Sequence, residues 1–110
     1  KSFVTKAVEY VKESYSDKNI SIETVCKKLG VSAAYFSTVF KKETGKTFIN
    51  YLTDYRMKQA VELLLTTDDK TYNIAEKVGY ADPNYFSYVF KKKYGMAPSK
   101  YRTGKLKERG

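Results

Sequence analysis

The chain has 110 residues, with 21 Lys and Arg against 12 Asp and Glu for a net charge of +9, and a pI near 9.5. It has no His and one Cys, which removes the commonest general base and metal ligand and excludes an internal disulfide or a multi-thiolate metal site. No apolar run approaches the roughly 20 residues of a membrane-spanning helix, and the basic balance favours an anionic partner such as nucleic acid or an acidic membrane surface.

Helical periodicity runs through almost the whole chain, and no stretch alternates like a strand. Phe3, Val4, Ala7, Val8, Val11 and Tyr15 share one face of a first helix. After the break at SDKN, Ser21 is a good N-cap for a short helix carrying Ile22, Val25, Cys26 and Leu29, and Gly30 stops it by accepting a left-handed backbone. Ser32 caps the next helix, with Phe36, Val39 and Phe40 inward, which ends at Gly45. Thr47 caps the longest segment, which runs to about Thr66 and spaces Phe48, Tyr51, Leu52, Tyr55, Ala60, Leu63 and Leu64 helically. A polar break, TTDDK, precedes a short helix around Ile74, Ala75 and Val78 that ends at Gly79. Asp82 caps the following helix, Pro83 sits in its first turn where a missing N–H costs nothing, and Gly95 ends it. Pro98 starts a last turn holding Tyr101, and 104–110 reads as a disordered basic tail.

The expected fold is therefore all-α, about seven helices in two helix-turn-helix subdomains joined by a long central helix. The expected divisions are 1–46, 47–66 and 67–103. Such a unit packs two helices steeply across a short turn, so the position four residues before the turn glycine must be small. Cys26 stands there before Gly30, and Ala75 before Gly79. The segments YFSTVFKKETG and YFSYVFKKKYG repeat at an offset of 50 positions, whereas the turn glycines are 49 apart, so the second turn is one residue longer.

The second helix of such a unit enters the DNA major groove. With the Phe residues inward, Ala33, Ala34, Ser37 and Thr38 point outward in the first copy, and Pro83, Asn84, Ser87 and Tyr88 in the second. These are the candidate base-reading residues. Ser32, Lys41, Lys42, Lys91, Lys92 and Lys93 are the candidate phosphate contacts, since Lys and Arg supply sequence-independent affinity by releasing counterions. A central helix of about twenty residues spans roughly 30 Å, close to the spacing of about 34 Å between successive major-groove faces. One monomer is thus expected to read two adjacent grooves.

VCKKLGVSAAYFSTVFKKETG, TFINYLTDYRMKQAVELL and IAEKVGYADPNYFSYVFKKKYGMAPSKYR together resemble the DNA-binding domain of AraC/XylS-type transcription regulators, over roughly residues 3–102. YVKESYSDKNISIETV and DPNYFSYVFKKKYG are most similar to the subgroup at the C-terminus of two-component response regulators. The resemblance implies a bacterial-type regulator that binds double-stranded promoter DNA, works with RNA polymerase and is cytoplasmic, at the nucleoid. It also implies that the base-reading positions fall on Ala34, Ser37 and Thr38, then on Asn84, Ser87 and Tyr88. Two departures stand out. The first unit offers only small side chains where the family often has Arg, Gln or Trp, and Ala97 replaces the usual Ser or Thr, removing a cap of about 1 kcal/mol.

No catalysis, cofactor, metal or small-molecule ligand is expected. Lys1 in place of Met suggests a piece of a longer protein, with any dimerisation in a missing N-terminal region. Cys26 reads as a helix-crossing residue rather than a redox sensor. Gly45, Lys46 and Thr47 lack the glycine five residues earlier that a P-loop needs, because position 40 is Phe. Tyr35 and Tyr85 stand between helix-junction packing and DNA contact, and Arg56 and Arg102 between structural ion pairs and phosphate clamps. The alternative function is a helical protein-interaction module with residual basic surface.

Overall fold

The computed structural model describes residues 2–109, and these form seven α-helices with no strand among them. The Ser2 hydroxyl accepts from the Thr5 amide at 3.2 Å and opens α1 (Phe3–Ser14), which buries Val4, Ala7 and Val11. Ser21 and Thr24 cap α2 (Ile22–Leu29) reciprocally: Thr24 N–H donates to Ser21 Oγ at 3.1 Å and Ser21 N–H to Thr24 Oγ1 at 2.9 Å. Such a pair satisfies two amides that the first turn leaves without partners. Ser32 accepts from the Tyr35 amide to open α3 (Ala33–Thr44). Thr47 accepts from the Asn50 amide at 3.1 Å at the start of α4 (Phe48–Thr66). α5 (Thr71–Lys77) follows. α6 (Pro83–Tyr94) is capped by Asp82, which accepts from the Asn84 amide at 2.9 Å. α7 (Pro98–Arg109) closes the chain.

Two compact units result, Lys1–Tyr55 and Arg56–Gly110. In the first, Phe36, Phe40 and Phe48 form a ring cluster with centroids 5.3–5.6 Å apart, joined by Val11, Val25 and Leu52. In the second, Met57, Leu64, Ile74, Val78, Phe86 and Phe90 are fully buried, and Phe90 meets Tyr101 edge-on at 5.5 Å. The compact division falls inside α4, the helix expected to link the two halves. Apolar residues along α4 account for this: Phe48 and Leu52 complete the first core, and Met57, Ala60 and Leu64 lie in the second unit.

The C-terminal segment also differs from expectation. Residues 104–109 continue α7 and are not a disordered tail; Gly110 lies outside the described residues. Lys105 and Glu108 pair at 3.5 Å with i, i+3 spacing, and the Lys105 ammonium lies over the Tyr101 ring at 5.6 Å. Such contacts between neighbouring turns add a few tenths of a kcal/mol each to a helix made mostly of good helix formers.

Candidate nucleic-acid interface

The two turns satisfy the same sterics with different hydrogen bonds. In the first, the Gly30 and Val31 amides both donate to the Cys26 carbonyl, at 2.8 and 3.2 Å. In the second, the Tyr80 amide donates to the Ala75 carbonyl at 2.9 Å and the Gly79 amide to Glu76 at 3.1 Å. Cys26 and Ala75 are buried, as the close approach of the helices requires. Gly30 at φ +72° and Gly79 at φ +104° hold backbone conformations that side chains with a Cβ resist.

The longer second turn carries an aromatic residue whose packing the sequence does not reveal. Tyr80 is buried, with its ring 6.1 Å from Tyr85 and 5.6 Å from Phe86. In the first unit Phe3 of α1 takes this place, 5.6 Å from Tyr35 and 5.9 Å from Phe36. α3 and α6 are thus each braced by an aromatic ring from outside the helix. The only sequence signal was an aromatic residue beside a one-residue length difference.

The outward faces of α3 and α6 carry the expected residues. Ala33, Ala34, Ser37 and Thr38 are exposed, as are Pro83, Asn84 and Tyr88, while Ser87 is half-buried. The Thr38 hydroxyl donates to the Ala34 carbonyl at 3.1 Å, so its proton is committed and its oxygen and methyl are what it offers outward. Tyr88 is 60% exposed, and its ring stacks on Tyr85 at 6.3 Å with an interplanar angle of 28°. The Ser32 hydroxyl accepts from the Tyr35 amide, which leaves its proton for an outside oxygen.

Lys41 and Lys42 occupy the last turn of α3, and Lys91, Lys92 and Lys93 that of α6, all exposed. There they also complement the negative end of each helix dipole. Lys93 lies over the Tyr94 ring at 5.8 Å. The side chains of Lys41, Lys42, Lys91 and Lys92 have no hydrogen-bond or ion-pair partner among the described residues. Clustered at a helix end, they present unneutralised positive charge to the outside.

Other candidates have structural roles. Gly45 ends α3 at φ +80°, Thr47 caps α4, and Lys46 donates to Asp54 at 2.7 Å, a bond that pushes the lysine pKa up. This leaves the tripeptide no phosphate-loop character. Burial pushes the Cys26 thiol pKa up, away from a reactive thiolate. Arg102 donates to three backbone carbonyls: Nε to Leu64 at 2.9 Å, Nη1 to Asp69 at 2.8 Å and Nη2 to Thr67 at 3.1 Å. Arg56 is buried with its guanidinium over the Tyr80 ring at 5.3 Å. Among the described residues, no group of three His, Cys, Asp or Glu could hold a metal ion, and no helix is long and apolar enough to cross a membrane.

Comparison with known proteins supplies the lineage. A family model for a helix-turn-helix domain matches residues 25–104. The transcriptional regulatory protein HptR of Staphylococcus aureus (strain bovine RF122 / ET3-1) is 38% identical over 99 residues, 90% of this chain but 38% of that protein. The chain therefore spans little more than a third of such a relative. The C-terminal domain of AraT, a response regulator from Geobacillus stearothermophilus, superposes with a TM-score of 0.92 at 40% identity, covering 94% of this chain and 86% of that one. The DNA-binding domain of AdpA, solved in complex with a target DNA, is alike in fold, with a TM-score of 0.93 at 24% identity over 99% and 97% of the two chains. The paired turns, the repeated second helices and these matches agree, and the chain belongs to the AraC-type helix-turn-helix domain family.

Proposed function

We propose that this chain is the sequence-specific, double-stranded DNA-binding domain of a transcription regulator, with α3 and α6 as recognition helices in adjacent major grooves of promoter DNA. The observation that carries the reading is the repeated pattern on these helices: an exposed outer face followed by a cluster of lysines in the last turn. Base edges are met by Ala33, Ala34, Ser37, Thr38, Pro83, Asn84, Ser87 and Tyr88. Phosphates are met by Ser32, Lys41, Lys42, Lys91, Lys92 and Lys93. That AdpA is bound to a target DNA in its solved structure, and that HptR is named a regulatory protein, support the assignment.

The small outward residues of α3 leave methyl contacts and DNA shape as its means of discrimination, so α6 carries most of the direct readout. The protein is not an enzyme; it acts in the cytoplasm at the nucleoid, alongside RNA polymerase, and any dimerisation belongs to a part of the regulator outside this chain. A gel-shift titration with duplexes recovered by binding-site selection tests the reading. We expect one enriched motif with two recognition elements about one helical turn apart. Absence of duplex binding at low salt would sink it in favour of a protein-interaction module.

A further inference from the structure

We infer that Tyr85 is a positioning residue for the second recognition helix: it holds the Tyr88 ring in its reading orientation, and the buried turn residue Tyr80 holds Tyr85. This rests on the DNA-binding reading above and deepens it. Tyr85 and Tyr88 lie one turn apart on one face of α6, where side chains at i and i+3 are neighbours, and their rings stack at 6.3 Å and 28°. Tyr85 contacts Tyr80 at 6.1 Å. Tyr80 is anchored below by Phe86 at 5.6 Å and by the buried Arg56 guanidinium at 5.3 Å. The array runs from a buried cation to an exposed ring, through side chains that become steadily more exposed.

Solvation alone does not explain this arrangement. Tyr85 and Tyr88 remain 56% and 60% exposed, so their stacking contributes little to the core. Its effect is to restrict Tyr88 before any ligand arrives. An exposed, rotamer-rich side chain loses freedom when an interface immobilises it, and prior restriction lowers that cost. The first unit lacks the last element of the array: Tyr35 is braced by Phe3, but Thr38 stands where Tyr88 would be and bonds to its own helix. Ring bracing therefore stops at Tyr35 in the first unit and continues one turn further, to Tyr88, in the second.

The test uses the purified chain, a duplex selected by it, and duplexes altered at single base pairs within each recognition element. The readout is the ratio of affinities for selected and altered duplexes, together with salt slope and melting temperature. We expect Tyr85→Leu to lower discrimination about 3- to 10-fold at the base pairs whose discrimination Tyr88→Ala also removes, with salt slope and melting temperature nearly unchanged. Tyr85→Phe keeps the ring and should restore discrimination. The double variant should discriminate no worse than Tyr88→Ala alone, because the two residues act in series. Uniform weakening by Tyr85→Leu on every duplex, additive losses in the double variant, or a loss in Tyr85→Phe equal to that in Tyr85→Leu would each overturn the inference. If the unaltered chain binds no duplex, the DNA-binding reading itself fails, an outcome distinct from all of these.

Discussion

Arg102 offers a sharp quantitative test, because its guanidinium gathers three backbone carbonyls from the end of α4 and the segment after it. The last carbonyls of a helix lack intrahelical partners, and here one side chain from 33 to 38 residues away satisfies Leu64, Thr67 and Asp69 together. A hydrogen bond from a charged donor contributes about 1.5–3 kcal/mol. The site is only part-buried, so water recovers some of this, and ordering one Arg side chain costs about 1.5–2 kcal/mol of rotamer entropy once for all three bonds. We expect Arg102→Met, which keeps most of the apolar stem, to destabilise the chain by about 2–3 kcal/mol. At roughly 4 °C per kcal/mol for a chain of this size, melting should fall by about 8–12 °C in a circular dichroism scan. Arg102→Lys, with donors on one nitrogen instead of a fork, should recover less than half of that. A decrease under about 2 °C for Arg102→Met would refute the reasoning. A DNA salt slope lowered by about one unit in the folded variant would instead return Arg102 to the phosphate contacts.

Lys41→Ala or Lys92→Ala should weaken binding to all duplexes alike and flatten the plot of log affinity against log salt by about one unit; an unchanged slope removes that lysine as a phosphate ligand. Asn84→Ala should shift the selected motif over one recognition element only, so an unchanged motif rejects it as a base reader. At Gly30 a Cβ would meet nothing within 4 Å, so Gly30→Ala should cost only the left-handed backbone term, about 1–2 kcal/mol by chemical denaturation, and Gly30→Asn distinctly less. The Cys26 thiol, buried and with its pKa pushed up, should react with a disulfide reagent only as fast as the chain opens, so labelling at the rate of a free peptide thiol would contradict its burial. The sign of its pH effect follows: the folded state holds the thiol proton more tightly, so stability should decline as pH rises above the ordinary thiol value near 8.5.

Much of the fold was legible because its determinants are local. Ser21, Ser32, Thr47 and Asp82 cap helices by bonding amides two or three residues away, and Gly30, Gly45 and Gly95 end them at positive φ. The outward faces followed from the inward Phe residues by helical period alone. What stayed illegible depends on distant partners. The destinations of Arg102 and Arg56 are set by tertiary packing, which is why ion pair and phosphate clamp could not be separated in the sequence. The continuation of α7 carries almost no apolar signal, since its support is one lysine shared between Glu108 and the Tyr101 ring. Tyr80 was visible as an aromatic residue in a turn one residue longer than the first, but its contact with Tyr85 was not.

The two units share a framework and differ in what it presents. Phe36, Phe40, Phe86 and Phe90 are all fully buried, and truncating such a residue typically costs about 3–5 kcal/mol, so the inward positions of both copies are held to one solution. The outward positions carry no such constraint, because changing an exposed side chain rarely moves stability by more than about 0.5 kcal/mol. The copies part there, with Ala34 against Asn84 and Thr38 against Tyr88. Two readers built on one frame but carrying different surfaces cannot favour a palindromic site. Under the proposed function the domain therefore has a polarity on DNA, with α6 and its stacked tyrosines deciding orientation and α3 adding affinity through Lys41 and Lys42.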